Sequence, residues 1–210
     1  MPQQRFSSLG RQAVLLSIMI AACLPEVPAL PSWPDQDVQI YLDSDLDVEG
    51  CGDRGAVITP NGIGGISAGN TAAQLTEDCP HRLGWDWGDE GIPQPAIAAR
   101  VGNALVIATV ADTFPWSDII SVAVADTAAR TPEGLGPGSQ LESLIQAYGA
   151  PTLLEGECVI DAVFPNSVNL VWRLKVGVND CAEIQSIARA NNVNTIRDRA
   201  IVERVTQTRG

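Results

Sequence analysis

Apolar and polar positions along this chain fall into two periods. In VQIYLDSDLDVEG (38–50), Val38, Ile40 and Leu42 alternate with polar residues, as a strand would, before the run turns acidic. Later apolar runs also read as strands: NALVIATVA (103–111), DIISVAVAD (118–126), ECVIDAVF (157–164), VNLVWRLKV (168–176) and AIVERVTQT (200–208). The PNS between Phe164 and Val168 suits a hairpin turn. A helical period appears instead at Leu141, Leu144, Ile145 and Tyr148, spaced i, i+3, i+4 and i+7. Gly149 is placed to stop that helix in a left-handed cap, and Pro151 prevents its resumption. A second helix is expected in CAEIQSIARANN (181–192), with Asp180 and Glu183 at its start.

The turn ahead of the first periodic helix is written twice. TPEGLGPGSQLESLIQAYGAP (131–151) echoes TPNGIGGISAGNTAAQLTEDCP (59–80), and both open T-P-x-G-[I/L]-G. The first copy then carries three extra residues, after which Gly69 matches Gly138 and Leu75 matches Leu144. Asn70 and Ser139 suit N-caps, and Ser139 with Glu142 has the spacing of a capping box. LVI at Leu105 and LVW at Leu170 occupy matching places in the strands that follow. The expected fold is α+β. It comprises two tandem pseudo-repeats (38–126 and 127–210), each a short helix packed on an antiparallel sheet.

The N-terminus changes the picture of where this domain works. Arg5 and Arg11 precede AVLLSIMIAACL (13–24), too short for a stable bilayer span and suited to the core of a secretory signal. Ile20-Ala21-Ala22-Cys23 has the form of a bacterial lipobox, making Cys23 a lipidation candidate. Val27-Pro28-Ala29 offers ordinary cleavage instead. Residues 1–23 therefore read as a signal peptide of either kind, and the proline-rich 24–37 reads as an extended tether. Either exit leaves four cysteines, Cys51, Cys79, Cys158 and Cys181, in an exported chain, where disulfides are expected. Three pairings are possible. Cys51–Cys79 with Cys158–Cys181 is favoured because each bond then staples one half. No second hydrophobic run calls for a membrane span.

Charge is unevenly placed. Residues 30–126 hold fifteen Asp/Glu against three Arg, and residues 127–210 hold nine acids against eight bases. Such a field repels nucleic acid and anionic bilayers and suits a basic partner. Solubility, or an acidic high-salt habitat, accounts for it more simply.

Candidate chemistry is thin. GISAG (65–69) matches the G-x-S-x-G elbow, with Ser67 as nucleophile of a small secreted hydrolase. A turn precedes it rather than a strand, however. Asp78 and His81 lie within fifteen residues of it, too compressed for that fold, and nothing places Lys175 beside it. DSDLDVEG (43–50) begins like a calcium loop but lacks the glycine and glutamate an EF-hand needs, leaving at most a looser calcium site that would stabilise an adhesion module. HRLGWDWGDEGIP (81–93) sets Trp85 and Trp87 among Asp86, Asp89 and Glu90. The indoles either cap the core or form an exposed pair for a basic protein partner, since Trp is favoured at binding hot spots. A sugar-stacking platform is a third use.

The glycine-rich turn, the short leucine-spaced helix, Tyr148-Gly149-Ala150-Pro151 and the strands after it resemble small bacterial envelope modules. SmpA/OmlA (BamE)-like lipoproteins and the β-lactamase-inhibitor-protein-like fold share that plan. The resemblance covers residues 57–210 and implies an envelope or extracellular protein-binding module. The expectation is a non-enzymatic binding or envelope-assembly protein with no cofactor, periplasmic, outer-membrane-anchored or extracellular.

Overall fold

A computed structural model describes residues 33–42, 46–87, 91–113 and 117–209. A two-residue hairpin, β1 (Ile58–Thr59) with β2 (Gly62–Ile63), leads into helix α1 (Ala72–Asp78). Four strands follow: β3 (His81–Asp86), β4 (Gln94–Val101), β5 (Ala104–Val110) and β6 (Ile119–Val124). Next come α2 (Leu141–Tyr148), β7 (Thr152–Glu155), β8 (Ile160–Val163), β9 (Leu170–Lys175), α3 (Cys181–Arg189), α4 (Val193–Ile196) and β10 (Ile201–Thr208). The protein is α+β. Strands β3 to β10 form one antiparallel sheet in the order β3-β4-β5-β6-β10-β9-β8-β7. Each half has a helix ahead of four strands, with α3 and α4 inserted before the last strand of the second half, and the last strands, β6 and β10, meet at the centre.

The helices pack on one face of that sheet. Leu75 of α1, Leu141, Leu144 and Tyr148 of α2, and Ile184 and Ile187 of α3 bury against inward residues such as Ile97, Val106, Val122, Trp172 and Val205. Tyr148, Phe164 and Trp172 form an aromatic trio with ring centroids 5.7–6.4 Å apart. The fully buried Trp172 satisfies its indole by donating to Ser167 Oγ at 3.0 Å. Tyr148 reaches back to the Thr131–Gly136 turn, where its hydroxyl bonds Thr131 Oγ1 (3.0 Å) and Glu133 Oε2 (2.8 Å). Burial pushes the Tyr148 phenol up to about 12. Strand β5 is buried at every position, the continuous apolar run of a strand covered on both faces.

Both disulfides have the expected partners. Cys51–Cys79 ties the segment after residue 50 to the end of α1, and Cys158–Cys181 ties the β7–β8 turn to the start of α3. Among the described residues no helix is long and apolar enough to cross a membrane.

Helix starts differ from expectation. Thr71, not Asn70, caps α1, in a capping box with Gln74. Gln140, not Ser139, stands at the N-cap of α2 and makes no side-chain cap bond. Asn70 and Ser139 instead close the preceding turn in the same way. Ser67 N donates to Asn70 Oδ1 and Gly136 N to Ser139 Oγ, both at 3.0 Å. Gly149 does end α2 at positive φ (+90°), but with ψ −173° rather than a left-handed helical value.

The turn-to-strand contacts of the two halves correspond bond for bond. Gly69 N donates to Ile119 O (2.7 Å), Ile119 N to Asn70 O (2.8 Å) and Ala72 N to Ser117 O (2.9 Å). In the second half Gly138 N donates to Val202 O (2.7 Å), Val202 N to Ser139 O (2.8 Å) and Leu141 N to Ala200 O (2.9 Å). The β6–β10 register is reciprocal: Val124 opposes Val205 and Val122 opposes Gln207 about the Ala123–Thr206 pair. Carrying that register outward sets Val106, rather than Leu105, at the place of Leu170. The single-residue offset matters because it reverses the face. Leu105 lies in a second, smaller core, whereas Leu170 belongs to the main one.

Candidate functional site

That second core lies on the face away from the helices, and it is where the two halves part. On the first half, Ala96 and Ala98 of β4 and Leu105 and Ile107 of β5 form a floor covered by Ile40, with Leu42 and Leu46 packed beside it. The alanines leave room above the sheet, and Gly84 of β3 leaves more. A Cβ there would come within 2.5 Å of Ile40 Cγ1 and 2.7 Å of the Val38 carbonyl oxygen.

The covering segment is held at three points. Residues 38–40 run parallel to β3 along its outer edge, with Trp85 N donating to Val38 O and Ile40 N to Trp85 O, both at 2.9 Å. Just before them two indoles form a reciprocal clasp: Trp33 Nε1 donates to Gly84 O and Trp85 Nε1 to Pro34 O, both at 2.8 Å. Beyond them the Arg100 guanidinium donates to Leu46 O (3.0 Å) and Val48 O (3.2 Å). The cover ends where Cys51 N donates to Arg100 O at 2.8 Å, next to the Cys51–Cys79 bond. Residues 33 and 34, expected within the tether, are therefore packed; Trp33 lies against the main core.

The same face of the second half has a different floor. By register, Asp161, Val163, Asn169 and Val171 stand where Ala96, Ala98, Leu105 and Ile107 stand in the first half. Arg173 and Arg204 replace Thr109 and Ser121. Arg173 forks onto Asp161, with Nε to Oδ1 and Nη2 to Oδ2 both at 2.9 Å, the bidentate geometry that suits a guanidinium. Around the pair, Leu154 is 42% exposed and Ile201 39%, and Lys175 is exposed. Leu154, Val163, Val171 and Ile201 belong to neither core. This sheet face is thus mixed: exposed Leu154, Ile201 and Lys175 surround the Asp161–Arg173 pair, of which Arg173 is itself buried.

The residues singled out from sequence fall in several places. Trp85 and Asp86 are on strand β3, not in a loop. Gly84 interrupts the apolar alternation there, and Pro95 and the alanines of β4 disguise its partner. Trp85 is half-buried and spends its indole N–H on the clasp. Trp87 follows, half-buried, with its Nε1 buried and lacking a hydrogen-bond partner among the described residues. Asp89, Glu90 and Cys23 lie outside the described residues, as do 43–45 of the acidic run. Ser67 Oγ donates to the neighbouring Ala68 carbonyl (3.1 Å), and His81 Nδ1 sits 3.0 Å from Cys79 O, so the two side chains serve separate local bonds. Asp78 pairs with Arg54 at 3.4 Å in solvent. A hollow of about 160 Å³ beside that pair is lined by Arg54, Ile66, Asn70 and Gln74 and includes neither Ser67 nor His81. Among the described residues no three His, Cys, Asp or Glu side chains gather as a metal site would need. Sequence reading missed the covering role of Ile40 and Leu46. The available signal was an apolar alternation that ran on into acids with no partner strand named for it.

No family model matches the chain, and no curated protein matches it. A solved structure similar to it is that of the uncharacterized protein yfeY from Escherichia coli. The two are 13% identical with a TM-score of 0.50, over 73% of this chain and 99% of that one, a likeness of fold.

Proposed function

We propose that this protein is an exported, non-catalytic protein-binding module made of two copies of one helix-plus-four-strand unit. Its docking surface is the helix-free sheet face of the second copy. The observation that carries the reading is the contrast between the halves. The chain's own residues bury that face in the first half, while Leu154, Ile201 and Lys175 are exposed on it in the second. The duplication rests on the matched turn bonds and the reciprocal β6–β10 register. Two disulfides fit an oxidising compartment, in line with the signal-like N-terminus. Lipidation at Cys23 would set the domain a short tether from a membrane, and fatty-acid labelling lost in Cys23→Ser is its check.

The test is affinity capture from the source cell's own envelope extract. Wild type is compared with Leu154→Glu/Ile201→Glu, whose changes are at exposed positions and leave the core alone. A partner retained by the wild type and lost by the folded variant supports the reading. Equal retention moves the docking surface elsewhere, and Trp85→Ala/Trp87→Ala then asks whether the end of β3 carries it. That pair is read with amide exchange of Ile40, because Trp85 also seats residues 34 and 38–40.

A further inference from the structure

The two outer edges of the sheet are finished differently. On β3, Trp85 offers its N–H and C=O outward, and residues 38–40 take both. On β7 the corresponding position is Glu155, since Trp85 opposes Pro95 as Glu155 opposes Ile160 in the matched register. Leu153 N donates outward to Asn191 Oδ1 at 2.8 Å, so the alternation of an antiparallel strand points the Glu155 N–H and C=O the same way. Neither group bonds to a described residue. The Glu155 carboxylate is paired with Arg189 at 2.6 Å, so the charge at this position is balanced.

The face beside this edge also has a chemistry. Where the covered floor is Ala, Ala, Leu and Ile, this one holds Val163 and Val171 among Arg173, Arg204 and Lys175, with Asp161 as the facing acid. The chain's own cover, residues 33–50, carries six acids and no base. Its alternating apolar residues and carboxylates are complementary to an apolar floor with the exposed Lys175 at its margin.

We propose that the β7 edge and the face next to it receive an extended segment of a partner protein, apolar at alternate positions and flanked by carboxylates. It adds parallel to β7 at Glu155 as residues 38–40 add to β3 at Trp85, and then crosses the face over Val163 and Val171. This rests on the reading of that face as the docking surface and adds the partner's chemistry and backbone register. Strand addition takes its affinity from main-chain bonds and its selectivity from alternate side chains.

The experiment uses the exported chain with both disulfides intact and, as probe, a synthetic peptide of residues 33–50. Binding is followed by amide chemical shifts and hydrogen exchange, with and without an N-methyl group on the peptide's Ile40 amide. The expected result is protection of the Glu155 amide, shifts at Val163 and Val171, weaker binding by Lys175→Glu, and loss of at least about tenfold in affinity on methylation, the factor that about 1.4 kcal/mol represents. Binding that methylation leaves unchanged but Leu154→Glu removes would overturn strand addition while keeping the docking face. Perturbation of Trp85 without Glu155 would mean exchange with the chain's own cover and would also overturn it, as would no binding by either peptide. The docking face itself is decided separately by the Leu154→Glu/Ile201→Glu capture experiment.

Discussion

Gly84→Ala asks how firmly residues 38–40 are seated. Gly84 has no positive φ, so alanine brings no backbone strain, only volume. Its Cβ would lie 2.5 and 2.7 Å from Ile40 Cγ1 and Cδ1, and 2.7 Å from Val38 O. Ile40 can turn its side chain, but the Val38 carbonyl is backbone already held by Trp85 N at 2.9 Å. If the segment stays, overpacking of this kind costs about 1–3 kcal/mol. If it leaves, the losses are Ile40's burial, about 1.5–3 kcal/mol, and two backbone bonds worth about 1 kcal/mol each. Freed backbone recovers about 1–2 kcal/mol per residue, which favours local release over global unfolding. The expectation is a fall in stability of about 1–3 kcal/mol with a larger loss of exchange protection at the Ile40 and Trp85 amides. Gly50→Ala is the control, because a Cβ there meets nothing within 4 Å and it shares the unfolded-state effect of the substitution. Urea unfolding followed by circular dichroism, with amide exchange in native buffer, reads both quantities. Equal midpoints for the two variants, with Ile40 exchange as in the wild type, would refute the seating.

The other predictions concern the second half. Cys158→Ala/Cys181→Ala opens a 23-residue separation and is expected to cost about 3.4 kcal/mol by chain entropy, measured as a drop in urea midpoint with a slope that does not fall, since the uncrosslinked unfolded chain is less compact. Tyr148→Phe removes a hydroxyl shared by Thr131 and Glu133 and should cost about 1–2 kcal/mol near neutral pH. Its pH dependence has a definite sign. The Tyr148 hydroxyl, then Thr131, hold the Glu133 carboxyl below its ordinary 4.5, so this contribution is whole above 4.5 and fades as pH falls through the lower folded value. The gap between the Tyr148→Phe and wild-type midpoints should therefore narrow on acidification, modestly because Glu133 is exposed. A gap that widens toward acid would contradict this assignment.

Much of the fold was legible where one period dominates. The α2 face follows from its spacing because it has a single buried side, the apolar run of β5 reads as a strand, and of three possible cysteine pairings the favoured one, which staples each half, is the one formed. What escaped was set by neighbours. β3 carries glycine where a strand should carry an apolar residue, and the reason is Ile40, a residue far away in sequence that needs the space. β4 reads as alanine-rich and helix-prone, yet small side chains are what the covering segment requires. Thr71 displaced Asn70 at the helix start because Asn70 was already committed to the turn at Ser67. The face proposed for docking was invisible for a related reason. Val163, Val171 and Arg173 look like ordinary strand residues until the register shows that their counterparts are buried.

The central β6–β10 seam has a consequence for biogenesis. β6 ends at Val124 and its partner begins only at Ile201. A chain threaded N-terminus first through a translocation pore presents the finished first half with an unpaired inner edge while the second half is still in transit. Exposed strand edges recruit other strands, so crowding at the exit during that interval favours pairing between nascent chains. Closure waits on a long-range contact, which makes it the slow step of folding and the point at which a holdase would have most effect.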